Sequence, residues 1–322
     1  MHVLLTGVAG FIASGVAKRL VAEGHTVTGV DNMNDAYDVR LKEFRLREVR
    51  PLIEFIEADI CDRDAMARLF SSHRFDAVIN LAARAGVRQS VENPWVYFDT
   101  NATGTLNLLD LCRRFSVGKF LLASTSSLYG DAKTQPFTEA MATDTPLSPY
   151  AASKKAAEMI CHTYHHLHGI DVSIVRYFTV YGPAGRPDMS LFRFTQWVSE
   201  GRPVILYGDG SQSRDFTYVD DIARGTVLAA TKRVGYEIIN LGSDAPWVLI
   251  DTLRLIEALA GKKAQIEHRP MHAADVKATW ADVTKAKTLL GWKAEVDAKT
   301  GITRLVDWYR ANRAWAKDVE TG

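Results

Sequence analysis

The sequence predicts an α/β protein with a doubly wound parallel sheet and a smaller mixed α/β region in its C-terminal half. Three observations indicate this fold class. Short apolar runs alternate with longer amphipathic segments through the first half, a glycine-rich turn follows the first run, and Gly and Pro residues cluster after residue 176. Alternation of strands and helices at this spacing is typical of a parallel sheet covered by helices on both faces.

The strands and helices of the first half are predicted from apolar runs and from amphipathic segments. Apolar runs indicate buried strands at Val3–Thr6, Thr26–Val30, Ile53–Ala58, Ala77–Ala82 and Phe120–Ser124. Apolar residues at helical spacing indicate intervening helices, for example at Ile12–Glu23, Arg63–Ser72 and Thr103–Phe115.

The second half is predicted to be a smaller region packed beside the sheet. Gly and Pro clusters at 182–187 and 207–210 indicate loops. Helical patterns follow at Val219–Thr231, Leu249–Ala260, Val283–Leu289 and Ile302–Arg313. Because ligands of open α/β sheets bind at the carboxyl ends of the strands, we expect the substrate cleft between the two halves.

The composition limits the possible partners. A net charge of +1 over 322 residues favours neither nucleic acid nor a membrane surface, so a basic site for an anionic ligand would have to be local. No stretch approaches the roughly 18 apolar residues of a membrane span. The three scattered cysteines, Cys61, Cys112 and Cys161, indicate a reducing compartment, and we expect a cytoplasmic protein.

No metal site is expected. His162 and His166 have a spacing that suits a metal ion, but the glutamate of the metalloprotease pattern is missing after the first histidine. Two further histidines, His165 and His168, belong to the same helical pattern. A solvated helix face is the better interpretation.

A glycine turn follows the first strand. In Thr6–Ala13, Gly7 and Gly10 are followed by Ala13 in the spacing G-x-x-G-x-x-A. Glycines permit the tight turn and bring backbone N–H groups to a pyrophosphate at a helix N-terminus. Asp31 ends the second strand, where its carboxylate can accept hydrogen bonds from a ribose and would repel a 2′-phosphate. NAD is therefore predicted, although an ordinary glycine turn and a capping aspartate remain alternatives.

A tyrosine and a lysine begin one amphipathic helix. Tyr150 and Lys154 are four residues apart and share a helix face. An ammonium one turn away, together with a positive nicotinamide ring, would lower the pKa of a tyrosine towards neutrality and make it a general base. The preceding predicted strand ends in Ser124-Thr125-Ser126-Ser127, whose hydroxyls could bond a reacting sugar oxygen or merely satisfy the strand end.

These motifs resemble the extended short-chain dehydrogenase/reductase family. The resemblance rests on the glycine turn, Asn80–Ala83, Thr125–Gly130, the Tyr150/Lys154 pair, Arg176–Pro183 and Arg214–Asp221. Within that family the chain is most similar to the UDP-glucuronate 4-epimerases, because of Ala85–Arg88, Phe178–Pro183 and Gly185–Met189. The resemblance implies a Rossmann-type NAD-binding domain at 1–176. It also implies a mainly substrate-binding region at 177–322, with some chain crossing back to the sheet.

The resemblance also implies roles for individual residues. Tyr150 would be the base, Lys154 would set its pKa, and Thr125 with Ser126 would complete the catalytic group. NAD would be lined by Gly7, Gly10, Phe11, Ile12, Asp31, Asn32, Asp59, Ile60, Leu81, Ala82, Ala83, Asn101, Tyr150, Lys154 and Tyr177. The UDP-sugar would contact Ser127 and Arg214 (the latter at the diphosphate), and its C5 carboxylate would contact Thr179, Arg186 and Arg88.

The expected reaction is exchange of UDP-glucuronate with UDP-galacturonate through a 4-keto sugar, by a homodimer. Sugar 4,6-dehydratases and UDP-glucuronate decarboxylases of this family carry acidic residues where this chain has Ser126 and Ser127. A 4-epimerase of neutral UDP-hexoses is the closest alternative. A non-catalytic NAD-binding regulator is a further alternative, against which the Tyr150/Lys154 pair argues.

Overall fold

A seven-stranded parallel sheet forms the centre of the protein. The computed structural model describes residues 1–271 and 275–321. The strand order is β3 (Glu54–Glu57), β2 (Thr26–Asp31), β1 (His2–Thr6), β4 (Ala77–Asn80), β5 (Lys119–Thr125), β6 (Asp171–Tyr177) and β11 (Tyr236–Leu241). Every neighbouring pair is parallel. The order reverses between β1 and β4, which is where open α/β sheets form a ligand crevice.

The described strands and helices have the following bounds. The strands are β1 (His2–Thr6), β2 (Thr26–Asp31), β3 (Glu54–Glu57), β4 (Ala77–Asn80), β5 (Lys119–Thr125), β6 (Asp171–Tyr177), β7 (Thr179–Tyr181), β8 (Val204–Tyr207), β9 (Ser213–Arg214), β10 (Phe216–Tyr218), β11 (Tyr236–Leu241), β12 (Trp247–Val248) and β13 (Ile266–Arg269). The helices are α1 (Phe11–Ala22), α2 (Val39–Val49), α3 (Arg63–Ser72), α4 (Val87–Glu92), α5 (Trp95–Tyr97), α6 (Gly104–Arg114), α7 (Pro149–His168), α8 (Ser190–Glu200), α9 (Val219–Thr231), α10 (Leu249–Ala260) and α11 (Ala298–Ala316).

Helices bury the sheet on both faces. On one face, the core joins residues of α1 and α9 to the sheet. On the other face, residues of α3, α6 and α7 form a second core. The long α7 is well defined at both ends, because Ser148 accepts from the N–H of Ala151, Pro149 occupies the first turn and Gly169 closes the helix in the left-handed conformation.

The C-terminal half builds a smaller unit beside the sheet. Helices α8, α10 and α11 share an apolar core with β8 and β10. Three two-stranded pairs, β7 with β10, β8 with β13 and β9 with β12, complete it. Strand β11 returns to the central sheet and pairs with β6.

The predicted fold class is confirmed, and the predicted strands of the first half lie in the sheet. The helices at 219–231 and 249–260 have the predicted bounds. Residues Ala286–Leu290 form a π-helical turn that overlaps the predicted helix 283–289, and the last helix is longer than predicted. Within the described residues, no helix is long and apolar enough to span a membrane.

Candidate functional site

The glycine turn lies where the strand order reverses. Gly7 has φ +72°, and a Cβ there would lie 2.8 Å from the backbone N of Ala82, just after β4. A Cβ at Gly10 would lie 2.8 Å from the backbone O of Gly7. Gly10 caps α1, and among the residues that the structure describes no side chain accepts from the first N–H groups of this helix. The turn thus presents free helical N–H groups without side-chain bulk, and this cradle fits the pyrophosphate of a dinucleotide.

Asp31 lies beside this turn and is held by three donors. Its carboxylate accepts from the backbone N of Ala9 at 3.1 Å and of Met33 at 2.9 Å, and the Nζ of Lys42 is 3.4 Å away. Lys42 lies 11 residues after Asp31 in the sequence, and α2 brings it back to the end of β2. Asn32 donates to Asp59 at 2.8 Å, and this bond joins the ends of β2 and β3.

A cavity of ≈ 440 Å³ extends from the glycine turn to Tyr150. Of the residues predicted to bind NAD or to act in catalysis, it is lined by Gly7, Gly10, Phe11, Ile12, Leu81, Ala83, Thr125, Tyr150, Lys154 and Tyr177. The hydroxyl of Tyr177 bonds Thr226 at 2.8 Å, away from the cavity.

Six of the predicted NAD residues do not line that cavity: Asp31, Asn32, Asp59, Ile60, Ala82 and Asn101. Asn101 is fully buried, and its amide bonds the backbone of Arg84 and the hydroxyl of Ser153. Ile60 packs against Gly104. Asn101 and Ile60 therefore do not face the cavity but support the residues around it.

Tyr150 and Lys154 both contact residues at the carboxyl end of β5. The buried Lys154 donates from Nζ to the backbone O of Ala123 at 2.9 Å. Burial lowers the pKa of Lys154 to about 8, and the negative charge of Glu158 opposes this change. Burial raises the pKa of Tyr150, whereas the Thr125 hydroxyl and the charge of Arg186 lower it. The site therefore already contains groups that favour the phenolate.

The hydroxyl groups at the end of β5 serve two different environments, the core and a second cavity. Thr125 Oγ1 accepts from the backbone N of Ser127 at 3.1 Å and lies 3.2 Å from its Oγ. Ser124 instead donates to Glu158 inside the core at 2.6 Å. Thr125, Ser126 and Ser127 line a second cavity of ≈ 390 Å³ that shares Tyr150 with the first.

Four arginines line the second cavity, Arg88, Arg186, Arg193 and Arg214, together with Thr179. Arg88 pairs with Asp275 at 2.6 Å and lies over the ring of Tyr207. Arg214 donates to the backbone O of Ser213 at 2.8 Å, and burial lowers its pKa. The four cations outnumber the two acids of the lining, Asp188 and Asp275. The cavity is therefore a local basic site, and it suits a ligand with several negative charges.

Arg186 joins the two cavities, since it lines both. Its Nε donates to Asp188 Oδ1 at 3.1 Å and its Nη2 to Asp188 Oδ2 at 2.5 Å. Its loop is anchored by the buried Arg45, which donates to the backbone O of Ala184 and Gly185 and to that of Ala9. Arg45 thereby ties the loop of Arg186 to the glycine turn.

Sequence reasoning missed five of these residues. Lys42 and Arg45 belong to α2, and Arg193 belongs to α8; in the sequence each is an ordinary cation of an amphipathic helix. Asp188 could have been identified from the sequence, because it lies two residues after Arg186. An acid so close to a proposed anion-binding arginine is a candidate ion-pair partner. Tyr207, at the end of β8, carried no signal.

The chain matches known proteins over nearly its whole length. The model of the NAD dependent epimerase/dehydratase family matches residues 3–242. A UDP-glucuronate 4-epimerase from Thermodesulfobacterium geofontis (strain OPF15) is 54% identical over 322 residues, covering 99% of both chains.

Two solved structures share the fold. UDP-glucuronic acid 4-epimerase from Bacillus cereus, in complex with UDP-glucuronic acid and NAD, matches with a TM-score of 0.91 and 35% identity over 97% of this chain and 100% of that chain. UDP-glucose 4-epimerase from Thermotoga maritima, with UDP-glucose, matches with a TM-score of 0.90 and 32% identity over 97% and 100% of the two chains. With the glycine cradle and the Tyr150/Lys154 pair in place, these matches confirm the expected kinship: the chain belongs to the NAD dependent epimerase/dehydratase family.

Proposed function

We propose that this protein interconverts UDP-glucuronate and UDP-galacturonate by epimerisation at C4, with NAD as its cofactor. The observation that carries the proposal is the position of Arg186, which lines both the cavity of the glycine turn and the arginine-rich cavity and acts electrostatically on Tyr150. A cation at this position suits a sugar that carries a carboxylate next to its reacting carbon. The relative that is 54% identical has the same activity in its name.

The chemistry assigned to the chain's own residues is a proton transfer. Tyr150 accepts the proton of the sugar 4-hydroxyl and returns it after the ring has presented its other face. Lys154 and Arg186 stabilise the phenolate through their positive charges. Thr125 and Ser126, at the end of β5, hold the reacting oxygen, and Ser127 contacts the sugar.

NAD, when bound, supplies a reversible hydride acceptor, so the cycle has no net redox change. Gly7, Gly10, Phe11 and Ile12 would hold its pyrophosphate. Asp31, Asn32 and Asp59 would lie at the adenosine end, while Leu81, Ala83 and Tyr177 would lie along the path to Tyr150. Ile60, Ala82 and Asn101 would support these residues from behind.

The UDP-sugar would occupy the arginine-rich cavity. Arg214 would meet the diphosphate, with Arg88 held nearby by Asp275. Arg186 and Thr179 would bind the C5 carboxylate. We also propose that residues 1–176 serve mainly NAD and residues 177–322 mainly the sugar nucleotide.

The test is incubation of the purified protein with UDP-glucuronate and NAD, with chromatographic separation of the products. We expect UDP-galacturonate and no stoichiometric NADH absorbance at 340 nm. NADH accumulating one for one with product would contradict an epimerase and favour a dehydrogenase. Faster turnover of UDP-glucose than of UDP-glucuronate would instead favour the neutral-sugar epimerase.

We also propose a homodimer, through one apolar face. Large apolar side chains are exposed on α7 and on the segment from α4 to α6, which packs beside it: Val91 at 54%, Trp95 at 77%, Met159 at 55% and Leu167 at 63%. Pairing this face with that of a second copy would bury them. Light scattering should give a dimer for the wild type and a monomer for Trp95→Glu/Met159→Glu; a monomeric wild type would contradict the proposal.

A cytoplasmic location is proposed as well. It is supported by Cys61, Cys112 and Cys161, which are all free thiols, as is usual in a reducing compartment. Cell fractionation followed by immunodetection tests it, and recovery of the protein outside the cytoplasmic fraction would contradict it.

A further inference from the structure

An acidic residue lies in the cavity that we assign to an anionic substrate. Asp188 lines both cavities together with Arg186. The side chains are 20% and 26% exposed, so they are largely removed from water but accessible to a ligand. A carboxylate at this place repels the phosphates and the uronate, and its presence therefore calls for a compensating role.

The geometry of the pair suggests that role. A guanidinium offers two edges for bidentate binding, one formed by Nε and one Nη atom and one formed by both Nη atoms. Asp188 occupies the first edge of Arg186, through Nε at 3.1 Å and Nη2 at 2.5 Å. Within residues 1–271 and 275–321, no protein atom accepts a hydrogen bond from Nη1 of Arg186. The second edge is left for a ligand.

The backbone holds Asp188 in place. The N–H of Met189 donates to the O of Arg186 at 3.3 Å, so both side chains belong to one tight turn. Helix α8 begins at Ser190, directly after this turn, and no side chain in the described part of the protein caps it. The positive end of a helix attracts a nearby carboxylate, which helps to keep the Asp188 side chain at this turn.

We propose that Asp188 is a positioning residue that determines specificity for a uronate. It holds one edge of the Arg186 guanidinium so that the other edge receives the C5 carboxylate of the substrate in a fixed plane. The proposal rests on the proposed function, because it takes the substrate to be a UDP-uronate. Without Asp188, substrate binding would itself have to order the long Arg186 side chain. The conformational entropy lost in this way would lower the affinity for the substrate.

The opposite role would be competition, with Asp188 occupying Arg186 until the substrate carboxylate displaces it. The two roles predict opposite signs for the removal of Asp188. Positioning predicts weaker uronate binding, whereas competition predicts tighter binding. The tight turn favours positioning, since Asp188 could leave Arg186 only by opening the bidentate pair within that turn.

The experiment measures dissociation constants by calorimetry in NAD-loaded Tyr150→Phe protein, in which turnover is suppressed. UDP-glucuronate is compared with UDP-glucose, which lacks the carboxylate. Asp188→Ala should weaken UDP-glucuronate binding about tenfold, the scale of one charge-assisted hydrogen bond. UDP-glucose binding should stay within about twofold, because Arg186 makes no carboxylate contact with it. The near-isosteric Asp188→Asn should act in the same direction, since its amide N–H₂ faces a donor of Arg186.

Two further variants complete the test. Adding Asp188→Ala to Arg186→Ala should cost nothing more, because Asp188 acts through Arg186. Asp307→Ala removes the partner of Arg310 on α11, a pair at 3.0 Å in which both side chains are exposed, and should change neither dissociation constant.

Each outcome decides between the possibilities. Tighter UDP-glucuronate binding in Asp188→Ala overturns positioning in favour of competition. Equal weakening for both sugars reduces Asp188 to a purely structural role. If the Tyr150→Phe protein with Asp188 intact does not prefer UDP-glucuronate to UDP-glucose, the proposed substrate itself is wrong, which is distinct from a failure at Asp188.

Discussion

Lys154 donates a hydrogen bond from its ammonium to the backbone oxygen of Ala123 at 2.9 Å. This bond joins the second turn of α7 to the carboxyl end of β5 and so sets Tyr150, one turn earlier, beside Thr125. The lysine is almost completely buried, so the same arrangement that orders the site leaves a cation in an apolar environment. We expect this cation to support activity and to reduce stability.

Lys154→Met should therefore be less active and more stable. Turnover should fall at least about a hundredfold, since Tyr150 loses the cation one helical turn away. Burial lowers the pKa of Lys154 from the ordinary 10.5 to about 8 in the folded protein. Below pH 8 the buried ammonium therefore reduces the free energy of unfolding, because water solvates this charge better in the unfolded chain. The thermal midpoint at pH 7, without NAD, should rise by about 3 °C or more.

The sign of this stability change can be checked with pH. As the pH rises from about 8 towards 10.5, the folded protein releases the Lys154 proton while the unfolded chain still binds it, so the stability of the wild type rises relative to the variant. The advantage of Lys154→Met should be full at pH 7 and should disappear near pH 10.5. A variant less stable than the wild type at pH 7 would show that the Ala123 bond outweighs the burial of the charge.

Tyr150→Phe tests the general base. Turnover of UDP-glucuronate should fall at least about a hundredfold, the usual scale for the loss of a proton acceptor. Affinity for the sugar nucleotide should be largely kept, because the ring remains in the cleft. The measurements are single-turnover rates and calorimetric binding. Near-normal turnover would mean that the base lies elsewhere.

Arg186→Ala tests the carboxylate contact. Binding of UDP-glucuronate should weaken by roughly 2 kcal/mol or more, the scale of a charge-assisted bond lost on one side. UDP-glucose is the control and should be little affected. An equal loss for both sugars, or no loss for either, would remove the main support for a uronate substrate.

The same variant should release more of a side product. Oxidation at C4 places a ketone β to the C5 carboxylate, and such an acid loses CO2 when the breaking C–C bond aligns with the carbonyl π system. The electron pair of that bond moves to the C4 oxygen, C5 then takes up a proton, and NADH is left unoxidised. A guanidinium that fixes the carboxylate plane prevents this alignment. We expect more UDP-4-keto-pentose with matching NADH, measured by chromatography and absorbance.

Gly7→Ala tests the cofactor cradle, with Gly24→Ala as its matched control. Both glycines have positive φ, +72° and +80°. A Cβ at Gly7 would meet backbone atoms of Ala82 within 3 Å, whereas at Gly24 no atom of residues 1–271 or 275–321 lies within 4 Å. Gly24→Ala should cost about 1–2 kcal/mol of backbone strain. Gly7→Ala should cost clearly more and should abolish NAD binding, measured by thermal unfolding and calorimetry. Equal effects would show that the approach of Ala82 is not what requires glycine.

The sequence by itself determined five of the seven strands of the sheet, the glycine turn and the helix face shared by Tyr150 and Lys154, because each depends on local patterns. The strands before Gly7 and Thr125 are continuous apolar runs, and helical spacing alone places Tyr150 and Lys154 on one face. Strands β6 and β11 were not predicted individually. Nothing local in the run Tyr236–Leu241 indicates that it would return to pair with Asp171–Tyr177.

Only the tertiary structure decided which charges meet. Lys42 reaches Asp31 from the next helix, and Arg45 ties the loop of Arg186 to the glycine turn across nearly 140 residues of sequence. Arg193 enters the arginine-rich cavity from α8. Local periodicity specifies which face of an element is buried, but ion pairing depends on how elements far apart in the chain pack together. For this reason the Tyr150/Lys154 pair could be read from the sequence, whereas the supports of the Arg186 loop required the fold.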